Sequence, residues 1–446
     1  MPEKFNAGPI SSQLTKHPKL PDMKRILLFG AGKSATSLIR YLLAITASRG
    51  WQLVVAESNL PLAESKIAGH PQAQAAGVDV TQEADRDALV AGADIVISLL
   101  PPALHYGVAL SCLKNHKHLL TASYLDSSIR ALEKEIGDKG LLFLCEMGLD
   151  PGIDHMSALQ LIRRIEAEGG DIHSFHSHTG GLVAPESDDN PWHYKISWNP
   201  RNVVLAGAAG ARYRENGTLI TKDYPCLFEE SGRVAVAGIG ELAWYPNRDS
   251  LSYIPLYRLD TVSNFIRTTL RYPEYCRGWA AIVRAGLTDD KTPLDPRGLS
   301  FAAWSAPLQP FITAENKQRL TFLGCFDAGT VPPTAKTSAD ILQYLLETRL
   351  AMRPADKDMI VMIHEIGFRH RGKARTATSS LIVKGEDHRH TAMARTVGLP
   401  LGIAAVLVLE GRITLRGLHI PIVPELYDPV MQELEEQGIR FEHVVS

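Results

Sequence analysis

Arg25-Ile26-Leu27-Leu28-Phe29-Gly30-Ala31-Gly32-Lys33-Ser34-Ala35 decides the fold of this chain. The first five residues form a short, continuously apolar run, as expected of a strand buried on both faces of a parallel sheet. The next six fit G-x-G-x-x-A. Residues 34–47 follow with Leu38, Tyr41, Leu42 and Ile45 at helical spacing. Strand, glycine turn and helix in that order make the phosphate-cradling start of a dinucleotide-binding domain. Gly30 permits the tight turn, Gly32 lets the backbone approach a pyrophosphate, and Ala35 is small enough for the helix to lie on the sheet. Lys33 and Ser34 open that helix, where free amide groups favour phosphate.

Outward from this motif, residues 52–57 give a second strand ending in Glu57. A carboxylate there can accept hydrogen bonds from the adenosine ribose hydroxyls and repels a 2′-phosphate. Ser58 and Asn59 beside it are neutral, so NAD is the expected cofactor, with NADP as the alternative. Further strands are expected at 94–100, closed by Pro101-Pro102, and at 118–123 and 141–145. The alternation predicts an α/β fold with a parallel, Rossmann-type sheet. Ser98-Leu99-Leu100-Pro101 falls at the carboxyl edge of that sheet, beneath the nicotinamide half of a bound cofactor.

The character changes after Pro151. Residues 172–179 read as a longer polar strand, 180–191 as a Gly/Pro-rich loop, and 272–354 as a separate helical unit. Strands return at 358–368 and 377–383, and 391–409 reads as a small-residue-rich helix packed closely on a neighbour.

A chain of 446 residues exceeds what one hydrophobic core usually supports. Its 47 basic and 49 acidic residues leave a net charge of −2, which excludes a generally basic nucleic-acid surface. Five cysteines with no C-x-x-C pair fit reduced thiols in a cytoplasmic protein. No uninterrupted apolar run approaches the roughly 20 residues a membrane helix needs, so no membrane partner is expected. Residues 1–22 read as a loose leader. His173, His176 and His178 resemble a metal cluster, but strand alternation turns His173 away from the other two, so no metal is expected there or at His388 and His390.

Polar clusters of a kind cores do not need occur at Thr121-Ala122-Ser123-Tyr124, Glu146-Met147-Gly148-Leu149-Asp150-Pro151-Gly152-Ile153-Asp154-His155 and Thr179-Gly180-Gly181-Leu182-Val183-Ala184-Pro185-Glu186. Others are Tyr194-Lys195-Ile196-Ser197-Trp198, Tyr245-Pro246-Asn247-Arg248-Asp249-Ser250 and Thr268-Thr269-Leu270-Arg271-Tyr272. In this order and spacing the chain resembles the glutamate-forming saccharopine dehydrogenases, also called saccharopine reductases. The resemblance implies three domains: a Rossmann-type domain at 23–125 plus 392–446, an α/β substrate domain at 126–271 plus 355–391, and a small inserted helical domain at 272–354. A homodimer is the expected assembly. The implied reaction is saccharopine + NAD(P)+ + water giving glutamate, 2-aminoadipate 6-semialdehyde and NAD(P)H.

The resemblance places substrate contacts on Ser123, Tyr124, Asp150, Arg248, Thr269, Leu270 and Arg271. It places cofactor contacts on the glycine loop (Gly30, Gly32, Lys33, Ser34, Ala35), on Glu57 and Ser58, and on Asp79, Val80 and Leu100. Ala122, Ser123, Leu149, Asp150, Pro151 and Asn199 complete that set. Saccharopine carries three carboxylates, which suits bidentate clamping by Arg248 and Arg271. Asp150 is the first candidate for general base, and His155 could cap the helix after Pro151.

Two departures stand out. Fungal NADP-dependent members carry a basic residue where this chain has Glu57, and the family's S-Y-C-G-G reads Ser177-His178-Thr179-Gly180-Gly181 here. A carboxynorspermidine-type dehydrogenase, which would need more acids and fewer arginines, and a non-catalytic NAD-binding regulatory protein are the alternative functions.

Overall fold

The computed structural model describes residues 23–229 and 232–446, so the expected leader at 1–22 lies outside the described residues. Six strands come first: β1 (Arg25–Phe29), β2 (Gln52–Glu57), β3 (Ala73–Gly77), β4 (Ile95–Ser98), β5 (His118–Thr121) and β6 (Leu142–Leu144). Six follow in the middle of the chain: β7 (Asp171–Val183), β8 (Ala211–Glu215), β9 (Thr218–Lys222), β10 (Gly232–Val236), β11 (Gly240–Pro246) and β12 (Asn264–Arg271). The last four are β13 (Asp358–His370), β14 (Lys373–Lys384), β15 (Gly417–His419) and β16 (Glu442–Val445).

One sheet has the order β15-β6-β5-β4-β1-β2-β3, every pair parallel. Alternation along its strands divides the apolar side chains between two cores. Ile26, Leu28, Leu53, Val55, Ile95 and Ile97 face one, while Leu27, Phe29, Val54, Ala56 and Val96 face the other. Strands apolar on both sides can be satisfied only by cover on both faces. Because β1 lies between β2 and β4, the chain leaves it at the point where strand order reverses, and a crevice opens there.

The second sheet has the order β10-β11-β12-β7-β13-β14-β16, with the β8–β9 hairpin attached to β12. It is mixed: β7 and β12 run parallel, the other pairs antiparallel. The helix Ile153–Ala167 packs on β7 and β13 and shares their core with Phe175, Ile360, Met362 and Ile366. Helices Pro273–Arg284, Ala314–Leu323 and Ser338–Arg349 gather around a separate core that includes Trp192, Tyr275, Trp279, Leu320 and Leu345.

Two sheet memberships cross the expected boundaries. β6 lies beyond 125 yet pairs with β5 in the first sheet, and β16 lies within 392–446 yet pairs with β14 in the second.

The helix Ala392–Leu409 has a mean hydropathy of 1.9 over 18 residues, long and apolar enough by length and composition to cross a membrane. It comes closer to membrane length than the sequence reading allowed, but 72% of it is buried inside the fold. Its small residues explain how. A Cβ on Gly398 would lie 2.9 Å from Leu38 Cβ and 3.0 Å from the Leu38 amide nitrogen, so the missing side chain lets it press directly on the helix Thr36–Arg49. None of the five cysteines forms a disulfide, and four of them are buried.

Candidate active site

The crevice at the switch point is a cleft of about 760 Å³. Gly30, with φ +98°, turns the chain where a Cβ would sit 2.9 Å from the Leu99 carbonyl oxygen; Gly32 faces open space. The two glycines thus do what a pyrophosphate cradle needs: one closes the turn, the other leaves room for phosphate. Lys33, Ser34 and Ala35 form one turn of 3-10 helix that leads into Thr36–Arg49, and all three line the cleft. So do Glu57, Ser58, Asp79, Val80, Leu100, Ala122, Ser123 and Asn199. The far wall comes from Trp198, Asn202, Gln343 and Glu347, and so from chain outside the first sheet. Leu149, Asp150 and Pro151 are not part of the lining; Leu149 and Pro151 are buried behind it.

Glu57 Oε2 accepts the Ala31 amide at 2.9 Å, and Oε1 accepts the Ser58 hydroxyl at 2.9 Å. Partial burial would raise its pKa, but these bonds and the Asn59 amide together bring it below the ordinary value. The carboxylate is therefore ionised at the cleft edge. Lys33 lines the same cleft, its pKa lowered by burial against the pull of Glu347. Lys66 donates to the Gly32 carbonyl at 2.8 Å and to Thr36 Oγ1 at 2.5 Å, and burial lowers its pKa to about 8. Arg86, a distant arginine that could otherwise reach a 2′-phosphate, is buried and donates to Val80 O at 2.7 Å and Ser111 Oγ at 2.8 Å.

Next to Ser123, Tyr124 leads out of the cleft to a second cluster. Its hydroxyl donates to Asp150 Oδ1 at 3.0 Å, and Asn247 Nδ2 donates to Oδ2 at 3.1 Å. Asp150 sits at the tip of a loop closed on itself: Gly148 donates to the Pro151 carbonyl at 2.9 Å, and a Cβ on Gly152 (φ +146°) would collide with the Gly148 carbonyl. Arg267 Nη2 bridges Asp150 Oδ1 at 2.5 Å and Asp154 Oδ2 at 2.6 Å, while its guanidinium lies 4.5 Å from the Tyr253 ring centre. Burial pushes the Asp150 carboxyl up, with Arg267 pulling against it. Asp154 goes the other way: burial opposes ionisation, but His155, Arg267 and the Gly152 amide outweigh it. Environment thus separates two neighbouring carboxylates and makes Asp150 the better proton acceptor.

Arg248, exposed and with φ +51°, stands 5.0 Å over the Tyr124 ring. On β12, period-two alternation puts Arg267, Thr269 and Arg271 on one face, spanning about 13 Å. Thr269 hydrogen-bonds Tyr245; Arg271 is buried between the rings of Tyr194 and Tyr275, at 5.3 and 5.4 Å. Among the described residues, Arg267 Nη1 and Arg271 Nε are buried with no hydrogen-bond partner. The Leu270 side chain points to the opposite face of the sheet, into the core of Leu182, Leu242 and Val361, while its carbonyl accepts Arg271 Nη1 at 2.8 Å.

Sequence reasoning missed three groups. Arg267 had a usable signal: an arginine inside the apolar strand Phe265-Ile266-Arg267, in phase with Thr269 and Arg271. Glu146 is buried and accepts from Leu125 N at 3.1 Å, Tyr253 Oη at 3.1 Å and His155 Nε2 at 3.0 Å. His155 is therefore no helix cap; it lies fully buried within Ile153–Ala167, its Nδ1 2.6 Å from Tyr257 Oη. His105 links Ser98 Oγ (2.9 Å) and Ser123 Oγ (2.8 Å) under the cleft floor, and burial lowers its pKa to about 4. Nothing in its local sequence marked it.

Residues 26–144 match the family profile described as saccharopine dehydrogenase NADP binding domain, and residues 148–439 match the saccharopine dehydrogenase C-terminal domain. The first sheet accordingly belongs to a nicotinamide-dinucleotide-binding domain. The chain is 32% identical over 441 residues to "Saccharopine dehydrogenase [NADP(+), L-glutamate-forming]" of Saccharomyces cerevisiae, covering 93% of this chain and 97% of that protein. It is 33% identical over 445 residues to the mitochondrial alpha-aminoadipic semialdehyde synthase of Bos taurus, covering 94% of this chain but spanning only 47% of that protein's length. The solved structure of apo saccharopine dehydrogenase (L-Glu forming) from Saccharomyces cerevisiae superposes with a TM-score of 0.82 at 32% identity, covering 95% of this chain and all of that one. Two profiles that together take in most of the chain, and a relative matched from end to end, place it by descent as well as by shape: the chain belongs to the saccharopine dehydrogenase family.

Proposed function

We propose that this chain oxidises saccharopine at its secondary amine, using a nicotinamide dinucleotide and water, and releases glutamate and 2-aminoadipate 6-semialdehyde in lysine metabolism, reversibly. The observation that carries the reading is Asp150, largely but not fully buried, raised in pKa and held by Tyr124, Asn247 and Arg267 one residue's reach from the cleft-lining Ser123.

Bound in the cleft, the dinucleotide would accept a hydride from the glutamate-side α-carbon of the substrate. The glycine loop with Lys33, Ser34 and Ala35 cradles its phosphates, Glu57 and Ser58 take the adenosine ribose, and Asp79 and Val80 flank the adenine side. Leu100, Ala122 and Ser123 support the nicotinamide side opposite Asn199. The chain's own contribution is to bind and orient. Arg248 and Arg271 clamp substrate carboxylates, and the unpartnered nitrogens of Arg267 and Arg271 are available to the same acceptors. Asp150 takes the proton from the substrate amine, and Tyr124 fixes which carboxylate oxygen does so. Three arginines around one site favour a tricarboxylate over the polyamine half of carboxynorspermidine.

The preferred cofactor in this proposal is NAD+. The profile and the fungal relatives carry NADP in their names, but an ionised Glu57 at the ribose end opposes a 2′-phosphate, and Arg86 and Lys66 are committed elsewhere. We further propose a division into a cofactor domain, a substrate domain and a helical domain. Five cysteines without a disulfide fit a cytoplasmic setting. Ile382, Val444 and Val445, exposed near the β16 edge, suit contact with a second copy in a homodimer.

Arg248→Ala tests the substrate site. It is expected to lose saccharopine turnover roughly tenfold or more, as the loss of a charge-assisted hydrogen bond implies, while dinucleotide binding measured by fluorescence titration persists. Near-parent kinetics would remove Arg248 from the site.

A further inference from the structure

On the face of the second sheet away from Arg267, His176 and His178 project side by side from β7, and Glu365 of β13 is the register partner of His176. Ligating atoms of all three lie within 4.8 Å of one another. His178 Nε2 is 3.2 Å from Glu365 Oε2, close to the spacing of about 3.4 Å between two ligands of a tetrahedral zinc ion. The sequence reading dismissed a metal because it sought the third ligand in His173. A bulge between Gly367 and Phe368 interrupts the alternation opposite that residue, and the third ligand comes instead from across the ladder.

The surroundings favour ligation. Thr268 Oγ1 hydrogen-bonds His178 Nδ1 at 2.7 Å, which orients the ring so that Nε2 faces Glu365, the outer-shell arrangement that metal-binding histidines use. His176 and Glu365 are both only partly buried, which leaves an approach from solvent. A His178–Glu365 hydrogen bond alone accounts for two of these residues and leaves His176 unexplained.

We propose that His176, His178 and Glu365 bind a zinc-class divalent cation, with water in a fourth position, outside the oxidoreductase site. Two imidazoles and one carboxylate are borderline donors suited to zinc rather than to magnesium or calcium. The ion would fasten β7 to β13, the strands at the centre of the second sheet.

The test uses the full chain, stripped of metal with a chelator and then titrated with Zn2+, beside Glu365→Gln and His176→Gln. Both substitutions fall at partly buried positions, and melting without metal verifies their folding. The parent is expected to bind one more Zn2+ per chain than either variant, with each variant roughly a hundredfold weaker at this site. Zinc should raise the melting temperature of the parent alone. Co2+ should give the visible absorption of a four-coordinate centre in the parent alone. Equal zinc binding and equal melting shifts in parent and variants, or no binding by the parent, would overturn the proposal.

Discussion

At the scale of single residues, the site depends on charges that are buried without being neutralised one for one. Arg267 faces two carboxylates, Asp150 and Asp154, and burial prevails only at Asp150, whose pKa is raised. Asp150→Asn keeps an acceptor oxygen for Tyr124, turns a donor toward the Asn247 amide, and cannot take a proton. A fall in kcat of roughly a hundredfold is expected, within the range of general-base catalysis, with cofactor affinity little changed. The acid limb of the parent's pH–rate profile should flatten in the variant; an unchanged profile would exclude Asp150 from proton transfer. Glu57 gives a second residue-scale prediction. A 2′-phosphate beside its carboxylate costs about 1 kcal/mol or more at an effective dielectric of about 20, roughly tenfold in selectivity. Glu57→Arg should therefore shift the ratio of kcat/KM for NADP+ over NAD+ upward by at least that factor. An unaltered ratio would show that the ribose ends elsewhere.

At the scale of elements, what could be read in the sequence followed the strength of the periodic signal. β1, β2, β4 and the helix Thr36–Arg49 were legible because apolar runs, a glycine turn and a helical stripe all agreed. β3 was not, because Ala73-Gln74-Ala75-Ala76-Gly77 has the composition of no strand; it forms by pairing with the edge of β2. Along β12 the family motif began at Thr268. Alternation puts Arg267 on the face of Thr269 and Arg271 and turns the Leu270 side chain to the other, a distinction that a list of adjacent residues cannot make. His105 and Glu146 escaped because the contacts that tie them to the site, with Ser123 18 residues on and with Leu125 21 residues back, form only through the fold. The helix Ala392–Leu409 was expected to pack closely, and Gly398 shows where. Gly398→Ala would put a methyl group 2.9 Å from Leu38 Cβ and about as near its backbone nitrogen, which cannot yield. A loss of about 1–3 kcal/mol is expected from overpacking, with weaker dinucleotide binding because Ser34 and Leu38 lie on the displaced surface. Denaturant melts and a cofactor titration measure both, and an unchanged midpoint would contradict the close contact.

At the scale of the whole molecule, two sheets meet across a seam that holds the cleft, the Asp150 loop and several buried histidines. His105 has its pKa lowered by burial from 6.5 to about 4. The unfolded chain therefore binds a proton that the native state refuses across that window. Stability from this group is fully present above pH 6.5 and is lost as pH falls toward 4, about 3 kcal/mol in all. His364, lowered to about 3 by full burial, acts in the same direction. In His105→Gln the slope of unfolding free energy against pH between 6.5 and 4 should fall by about one proton, read from urea melts at a series of pH values. An identical slope would mean that His105 is protonated in the native protein.

The seam also brings the parts of the proposed reaction together: a dinucleotide cleft on one side, arginines for a polycarboxylate on the other, and Asp150 between them. The most direct test is to incubate the purified chain with saccharopine and each dinucleotide, following absorbance at 340 nm and assaying glutamate at the end. The account predicts saccharopine-dependent reduction of the dinucleotide, faster with NAD+, with one glutamate released for each dinucleotide reduced. Absence of reduction with both dinucleotides, or reduction without glutamate, would contradict it.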